Sequence, residues 1–395
     1  MNFNITDTKY LAQLTCFKEM QLCIEKAEGV YLYDSNGKQY IDLLSGIAVN
    51  VLGHKHPAIV KAISEQAQKY LHLNVYGEFI QKETVMLARK LADLLPPHLS
   101  KSFFVNSGSE AIEGAIKLSK LFTKKHKIIS FKGSYHGSTL STLNLLGFEE
   151  FKRPFRPLIP FYESMEFNHL NSVDAIDENT ACVVMELIQT ASGMNIVNPD
   201  FLKAVRDKCS ETGALLIFDE IQTSPGRLGF MFGFELFGIS PDILCLAKGI
   251  GGGLPLGVFI SSDKIMSSLE NHHPLLGHAT TFGGNPLCCS ASLATLNTLQ
   301  DSKLIAAVSQ KHEIFCQNLK HKYIKNIHGK GLLLAVELES KELNKKFISK
   351  VIQAGIITNS FLFNENSFAI IPPVIINENE IILACYQVTK VLNQL

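Results

Sequence analysis

Four apolar stretches of this chain run directly into residues able to do chemistry. "ALLIFDE" closes on Asp219, with Glu220 and Gln222 just beyond, and "DILCLAK" closes on Lys248, followed by Gly249, Gly251, Gly252 and Gly253. "ACVVMEL" carries Glu186 near its end, and "KSFFVNSGSE" ends in Ser107, Gly108 and Ser109. A lysine drawn into apolar surroundings gives up its proton readily, which suits it to imine formation with a carbonyl compound. A carboxylate at the mouth of a buried strand needs a cationic or protonated partner to offset its lost hydration. Small residues at a helix start expose backbone N–H groups, an arrangement that suits a phosphate.

Each residue also has an ordinary reading. Lys248 could snorkel to water, Asp219 and Glu186 could cap strand or helix ends, and Ser107-Gly108-Ser109 could be a plain helix start. The glycines after Lys248 suit close approach of backbone to a ligand or merely a tight turn. Taken together the residues are more specific. An imine-forming amine, an acid able to keep a ring nitrogen protonated and a phosphate cup are what pyridoxal 5′-phosphate requires of a protein.

Something must hold these residues at one edge. Short, wholly apolar stretches alternate with helical ones: "KSFFVNS" precedes "GSEAIEGAIKLSKLF", and "ACVVMEL" precedes "NPDFLKAVRDKCSETG". That alternation predicts an α/β fold whose mostly parallel central sheet is covered on both faces, with ligands beyond the carboxyl ends of its strands. "GVYLYDSNGKQYIDL" reads as two strands about a Ser-Asn-Gly turn, and "HPAIVKAISEQAQKYLHL" as a helix with a proline start. The expected division is an N-terminal segment over 1–50 that joins the small domain, a large domain over 51–290, and a smaller C-terminal α+β domain over 291–395.

The formal net charge is zero, so neither nucleic acid nor an acidic membrane surface is an expected partner. The cluster "KLFTKKHK" reads as a solvated helix end. Nine cysteines without CxxC or metal-ligand spacing exclude a zinc pattern and point to reduced thiols in the cytoplasm. "MNFNITDTKY" lacks the order of a secretory signal, and no apolar stretch reaches the roughly 20 residues of a bilayer span.

The motifs "VNSGSEAIEGAIKLSK", "FKGSYHGST", "FDEIQTSPGRLGFMFGFELFGISPDILCLAKGIGGGLPLG" and "HATTFGGNPLCCSA" resemble the class III pyridoxal-phosphate aminotransferases, on the acetylornithine/ornithine branch. The likeness extends to "GVYLYDSNGKQYIDLLSGIAVNVLGHKHPAIVKAI" and so covers nearly the whole chain. It implies a fold-type I, aspartate aminotransferase-like transferase. It also implies Lys248 as the internal-aldimine lysine and Asp219 as the partner of the pyridine nitrogen. Gln222 would neighbour the ring hydroxyl, and Ser107, Gly108 and Ser109 would cup the phosphate. Tyr135 would stack on the ring, His136 would shape its loop, and Glu186 would lie near the cofactor. Thr281 would reach the phosphate of a neighbouring subunit, which implies a homodimer with shared sites. Arg227 matches a family arginine of structural role.

Three positions depart from the family. Acetylornithine-type enzymes resemble one another in an arginine after the His-Gly of the aromatic motif, where this chain has Ser138. They share another before a late Pro-Pro, where this chain has Ala369, and ornithine-type relatives have a glutamate where Ala191 stands. The losses agree with one another, since a buried glutamate stripped of its arginine would cost about 3–5 kcal/mol. Hydrogen bonds to a charged group contribute about 1.5–3 kcal/mol each, so a dicarboxylate would bind far more weakly. The expected activity is transfer of an amino group from an amine or ω-amino acid to a keto acceptor. A mutase or decarboxylase on the same fold is the alternative, and stoichiometric keto product without carbon dioxide separates them. A regulatory binding protein would predict an altered Lys248 or Asp219 position, and both are present.

Overall fold

The computed structural model describes residues 12, 22–74, 79–270, 277–301 and 303–395. The reading of "MNFNITDTKY" falls outside them. The largest sheet comprises, in chain order, β1 (Lys101–Val105), β2 (Lys127–Phe131), β3 (Tyr162–Met165), β4 (Thr180–Glu186), β5 (Leu215–Asp219), β6 (Ile243–Leu246) and β7 (Gly257–Ser261). Their spatial order is β1-β7-β6-β5-β4-β2-β3. All neighbours are parallel except β7, which runs antiparallel to both β6 and β1. The α/β, mostly parallel architecture expected from the alternating pattern is the one observed.

The unbroken apolar runs have a simple cause. Successive side chains of a strand point to opposite faces, and both faces here are buried. Val183, Met185, Leu216, Phe218, Leu244 and Leu246 meet Phe201, Leu202 and Val205 of the helix Pro199–Thr212 on one face. The alternate residues Cys182, Val184, Leu215, Ile217, Ile243 and Cys245 meet Ala111, Ile112 and Ala115 of the helix Gly108–Thr123 on the other. That helix ends where Lys124 takes a left-handed cap, and Lys127 of the basic cluster joins β2 and pairs with Glu163 and Asp177 at 2.8 and 3.1 Å.

A second core lies beside the first. Strands Tyr31–Asp34 and Gln39–Asp42 pair antiparallel about the Ser-Asn-Gly turn, and Ile356–Ile357 from near the carboxyl end pairs in parallel with Gln39–Asp42. Val30, Ile41 and Leu52 pack with Phe315, Val336, Phe347, Phe368 and Val388. The helix Pro286–Asp301 gives Cys289 and Leu296 to the first core and Ala291 and Leu299 to the second.

Candidate active site

The carboxyl ends of the parallel strands converge on a cavity of about 370 Å³, within the range of small-molecule sites. Register brings the acids together. Asp219 is the last residue of β5 and lies opposite Glu186, the last of β4, and opposite Cys245 of β6. Lys248 follows β6 by two residues and opens a short 3-10 turn, Lys248–Gly251. Its φ is 47°, a left-handed value uncommon for a residue with a side chain and often found at functional positions.

Lys248 is half-buried and lines the cavity. Desolvation pulls its amine down to about 8, partly opposed by the negative charges of Asp219 and Glu186. Asp219 is 5% exposed; its Oδ2 contacts His136 Nδ1 at 2.7 Å and its Oδ1 accepts from the Ile221 N–H. Burial lowers the His136 pKa, but the Asp219 hydrogen bond and the charges of Asp219 and Glu186 outweigh it, so the net shift is upward. His136 Nε2 is buried with no hydrogen-bond partner among the described residues.

Glu186 accepts from the Tyr135 N–H at 2.9 Å, the Thr190 N–H at 3.1 Å and the Thr190 hydroxyl at 3.3 Å. Burial pushes it up to about 7, helped by Asp219 and resisted by His136 and these hydrogen bonds. Gln222 donates from Nε2 to Thr190 Oγ1 at 2.5 Å.

The phosphate end is built from β1 and its helix. Ser107 caps the helix, its Oγ accepting from the Glu110 N–H at 3.2 Å, which leaves Gly108 and Ser109 in the first turn beside the cavity. A Cβ on Gly108 would meet Ile221 Cδ1 at 2.6 Å. Gly137 (φ 129°) lets the aromatic loop pass so close that a Cβ there would sit 2.2 Å from Ser109 Oγ. Tyr135 lines the cavity, and its hydroxyl reaches Ser138 Oγ at 3.1 Å.

The structure thus brings together Ser107, Gly108, Ser109, Tyr135, His136, Glu186, Asp219, Gln222 and Lys248 as cavity-lining residues. Thr281 stands apart, exposed and outside its own chain's cavity. Ala369 lies in the strand Ser367–Ile370, buried in an apolar cluster with Ile188, Phe361 and Ile371. Sequence reasoning missed Thr190, which carried no signal beyond its nearness to Glu186. It also missed the reach of Arg227, which donates to the Pro372 carbonyl at 2.8 Å and to Ser45 Oγ at 2.7 Å.

The family model described as aminotransferase class-III matches residues 16–392. The acetylornithine aminotransferase of Caldanaerobacter subterraneus is 36% identical over 98% of both chains, and that of Methanopyrus kandleri 37% over 93% of both. Among solved structures, adenosylmethionine-8-amino-7-oxononanoate aminotransferase from Methanocaldococcus jannaschii superposes with a TM-score of 0.90 at 30% identity, covering 98% of each chain. Ornithine aminotransferase from Toxoplasma gondii superposes at 0.91 with 27% identity, covering 98% of this chain and 94% of that one. Enzymes of this family use pyridoxal 5′-phosphate, and the residues present fit it: an amine of lowered pKa, a buried aspartate, and a glycine-floored helix start where a Cβ would intrude. The fold is fold type I, and the chain belongs to the class III pyridoxal-phosphate-dependent aminotransferases.

Proposed function

We propose that this aminotransferase takes its amino group from an amine or an ω-amino acid and passes it to a keto acceptor. The cofactor, when bound, supplies an aldehyde carbon for the exchange and a ring that takes up electrons. The chain supplies the rest. Lys248 Nζ, neutral in a substantial fraction near pH 8, would hold the cofactor through that aldehyde with loss of water and, when free, would take up a proton and return it. Asp219, fixed by His136 and the Ile221 N–H, would hold negative charge opposite the ring nitrogen. Ser107, Gly108 and Ser109, at the helix start beside the cavity, would hold the phosphate, Tyr135 would cover the ring, and Gln222 would meet its hydroxyl.

The observation that carries the substrate reading is the whereabouts of the arginines. None lines the cavity among the described residues. Arg89 lies 3.8 Å from Asp93, Arg156 grips Glu149, and Arg206 pairs with Asp242. Arg227 is buried on backbone and Ser45, and Arg153 is exposed in a surface turn. Among the described residues Lys248 is the one lysine at the cavity, and His136, the other basic group there, is already paired with Asp219, so none of those residues offers a free cation to a substrate carboxylate. The relatives named acetylornithine aminotransferase favour the opposite reading, a donor of their own kind. A donor panel followed at the cofactor's absorption band decides: rapid bleaching by N-acetylornithine and efficient recovery with 2-oxoglutarate would refute the proposal.

The same reading includes a homodimer in which Thr281 completes the partner's phosphate site. Leu71, Phe79, Ile80, Val85, Met86 and Phe282 are all exposed, Ile80 to 91%. Thr84 Oγ1 donates to the Gly284 carbonyl at 2.9 Å, which ties the helix Lys82–Leu94 to the loop bearing Thr281. A sedimentation mass of one chain at full cofactor affinity would end that part. We place the enzyme in the cytoplasm, with residues 1–50 and 291–395 forming its smaller unit. The free thiols of every described cysteine support the compartment, and the pairing of Ile356–Ile357 with Gln39–Asp42 supports the division. Fractionation with a secreted marker would overturn the first, and cleavage near residue 290 that leaves the two segments unassociated would overturn the second.

A further inference from the structure

Between Glu186 and Gln222 stands one hydroxyl. Thr190 is buried, and its Oγ1 lies 3.3 Å from Glu186 Oε2 and 2.5 Å from Gln222 Nε2. We propose that Thr190 is a positioning residue, whose hydroxyl ties the Gln222 amide to the Glu186 carboxyl so that the proton on Glu186 decides which end of that amide faces the cavity. The inference rests on the placement of Gln222 beside the cofactor's ring hydroxyl.

The argument is one of donors and acceptors. A threonine hydroxyl has a single proton to give and two lone pairs to offer. When Glu186 is ionised, its two oxygens take the Tyr135 N–H, the Thr190 N–H and the Thr190 O–H. The hydroxyl's lone pair then accepts from Gln222 Nε2, the arrangement observed. Gln222 keeps Oε1 and its second N–H for the cavity. When Glu186 is protonated, its own O–H can point to Thr190 Oγ1. The second lone pair of Oγ1 can still take the Nε2 hydrogen, but the threonine proton is then buried without an acceptor; turned toward Gln222 it is satisfied, and there only the amide oxygen can accept it. The amide reverses and presents Nε2 with both of its hydrogens to the cavity side. One proton gained at Glu186 is thereby read as a change in what a ring hydroxyl meets.

Glu186 is suited to such a change near neutral pH. Burial lifts its carboxyl to about 7, against the charge of His136 and with that of Asp219. Those two groups and Lys248 are the charged groups that act on it across the cavity. Glu186 at the end of β4 and Thr190 four residues on therefore connect a titrating acid by direct contacts to a side chain of β5's following turn, Gln222.

The test uses the full-length protein stripped of cofactor and reconstituted. Thr190→Val keeps the shape and removes the hydroxyl; Thr190→Ser keeps the hydroxyl. Affinity is measured for pyridoxal 5′-phosphate and for its analogue lacking the ring hydroxyl, together with the pH midpoint of the bound cofactor's visible absorbance. Thr190→Val is expected to lose about three- to tenfold in affinity for the cofactor, the effect of one neutral hydrogen bond, and to move the absorbance midpoint. Thr190→Ser should restore both, and the analogue should bind the valine variant as well as the wild type. Equal affinities and midpoints for all three proteins would overturn the proposal, as would an equal loss toward cofactor and analogue, which marks packing alone. Failure of the wild type to bind the cofactor at all would instead overturn the reading of the cavity on which this one stands.

Discussion

Replacing Asp219 with asparagine removes one charge and almost no volume, and its main effect should appear on His136. In the native protein the two side chains meet at 2.7 Å, both nearly inaccessible to solvent. An asparagine oxygen can still accept from Nδ1–H, so the hydrogen bond survives in neutral form. What goes is the charge that stabilises the imidazolium. A charge-assisted hydrogen bond exceeds a neutral one by about 1 kcal/mol, and the Coulomb attraction of a pair some 4 Å apart adds up to about 4 kcal/mol at an effective dielectric of 20. At 1.36 kcal/mol per unit this predicts a fall in the His136 pKa on the order of 1–3 units. Glu186 limits it, because loss of the Asp219 charge lets Glu186 ionise more easily and partly replace the missing anion. The stability effect has a definite sign. His136 is raised in the folded state, so its contribution is complete below the unfolded value of about 6.5 and disappears as pH rises through the folded value. Asp219→Asn should therefore destabilise the cofactor-free protein more at pH 5.5 than at pH 9. Imidazole NMR titration gives the pKa, and urea unfolding at fixed protein concentration gives the stability. An unmoved or raised His136, or equal destabilisation at the two pH values, would refute the reasoning.

Lys248 should react as an amine of pKa about 8, which at pH 7 leaves it roughly 300-fold more often neutral than an ordinary lysine. Borohydride trapping of pyridoxal 5′-phosphate on the cofactor-free protein should rise about tenfold per unit up to that pH and then level, whereas a rise continuing to pH 10 would exclude the lowered value. Arg227→Ala should cost at least about 3 kcal/mol, because it opens a cavity and strands the buried Pro372 carbonyl, while Ser45 Oγ is left with only the Ile371 carbonyl; a loss below about 1 kcal/mol in urea unfolding would rule this out. Gly137→Ala should weaken cofactor binding by at least about tenfold, since its Cβ would strike Ser109 Oγ. Gly213→Ala is the control: it also stands at positive φ, 70°, in the left-handed helical region with nothing nearer than 3.6 Å, so it should lower stability by about 1–2 kcal/mol and leave cofactor affinity alone.

How much of the site the sequence reveals follows from the kind of contact involved. Asp219, Glu186 and Lys248 are legible because a sheet buried on both faces writes its strands as unbroken apolar runs, and a charged residue at the end of one stands out. β7 and β3 escaped notice for the converse reason: "GVFIS" and "YESM" end in no charged residue, and nothing local distinguishes an antiparallel insertion from another parallel strand. The dependence of His136 on Asp219 was hidden, because 83 residues separate the pair and the loop after β2 decides where the ring points. Arg227 and Ser45 are 182 residues apart, and Thr190 and Gln222 meet only because β4 and β5 are neighbours in register. Residues that do chemistry tend to violate their surroundings and so announce themselves. Residues that position them are ordinary polar side chains whose partners are chosen by topology. The charge balance around Lys248 shows the consequence, for its lowered pKa depends on two carboxylates, one arginine and the degree of burial, four quantities that no stretch of sequence contains together.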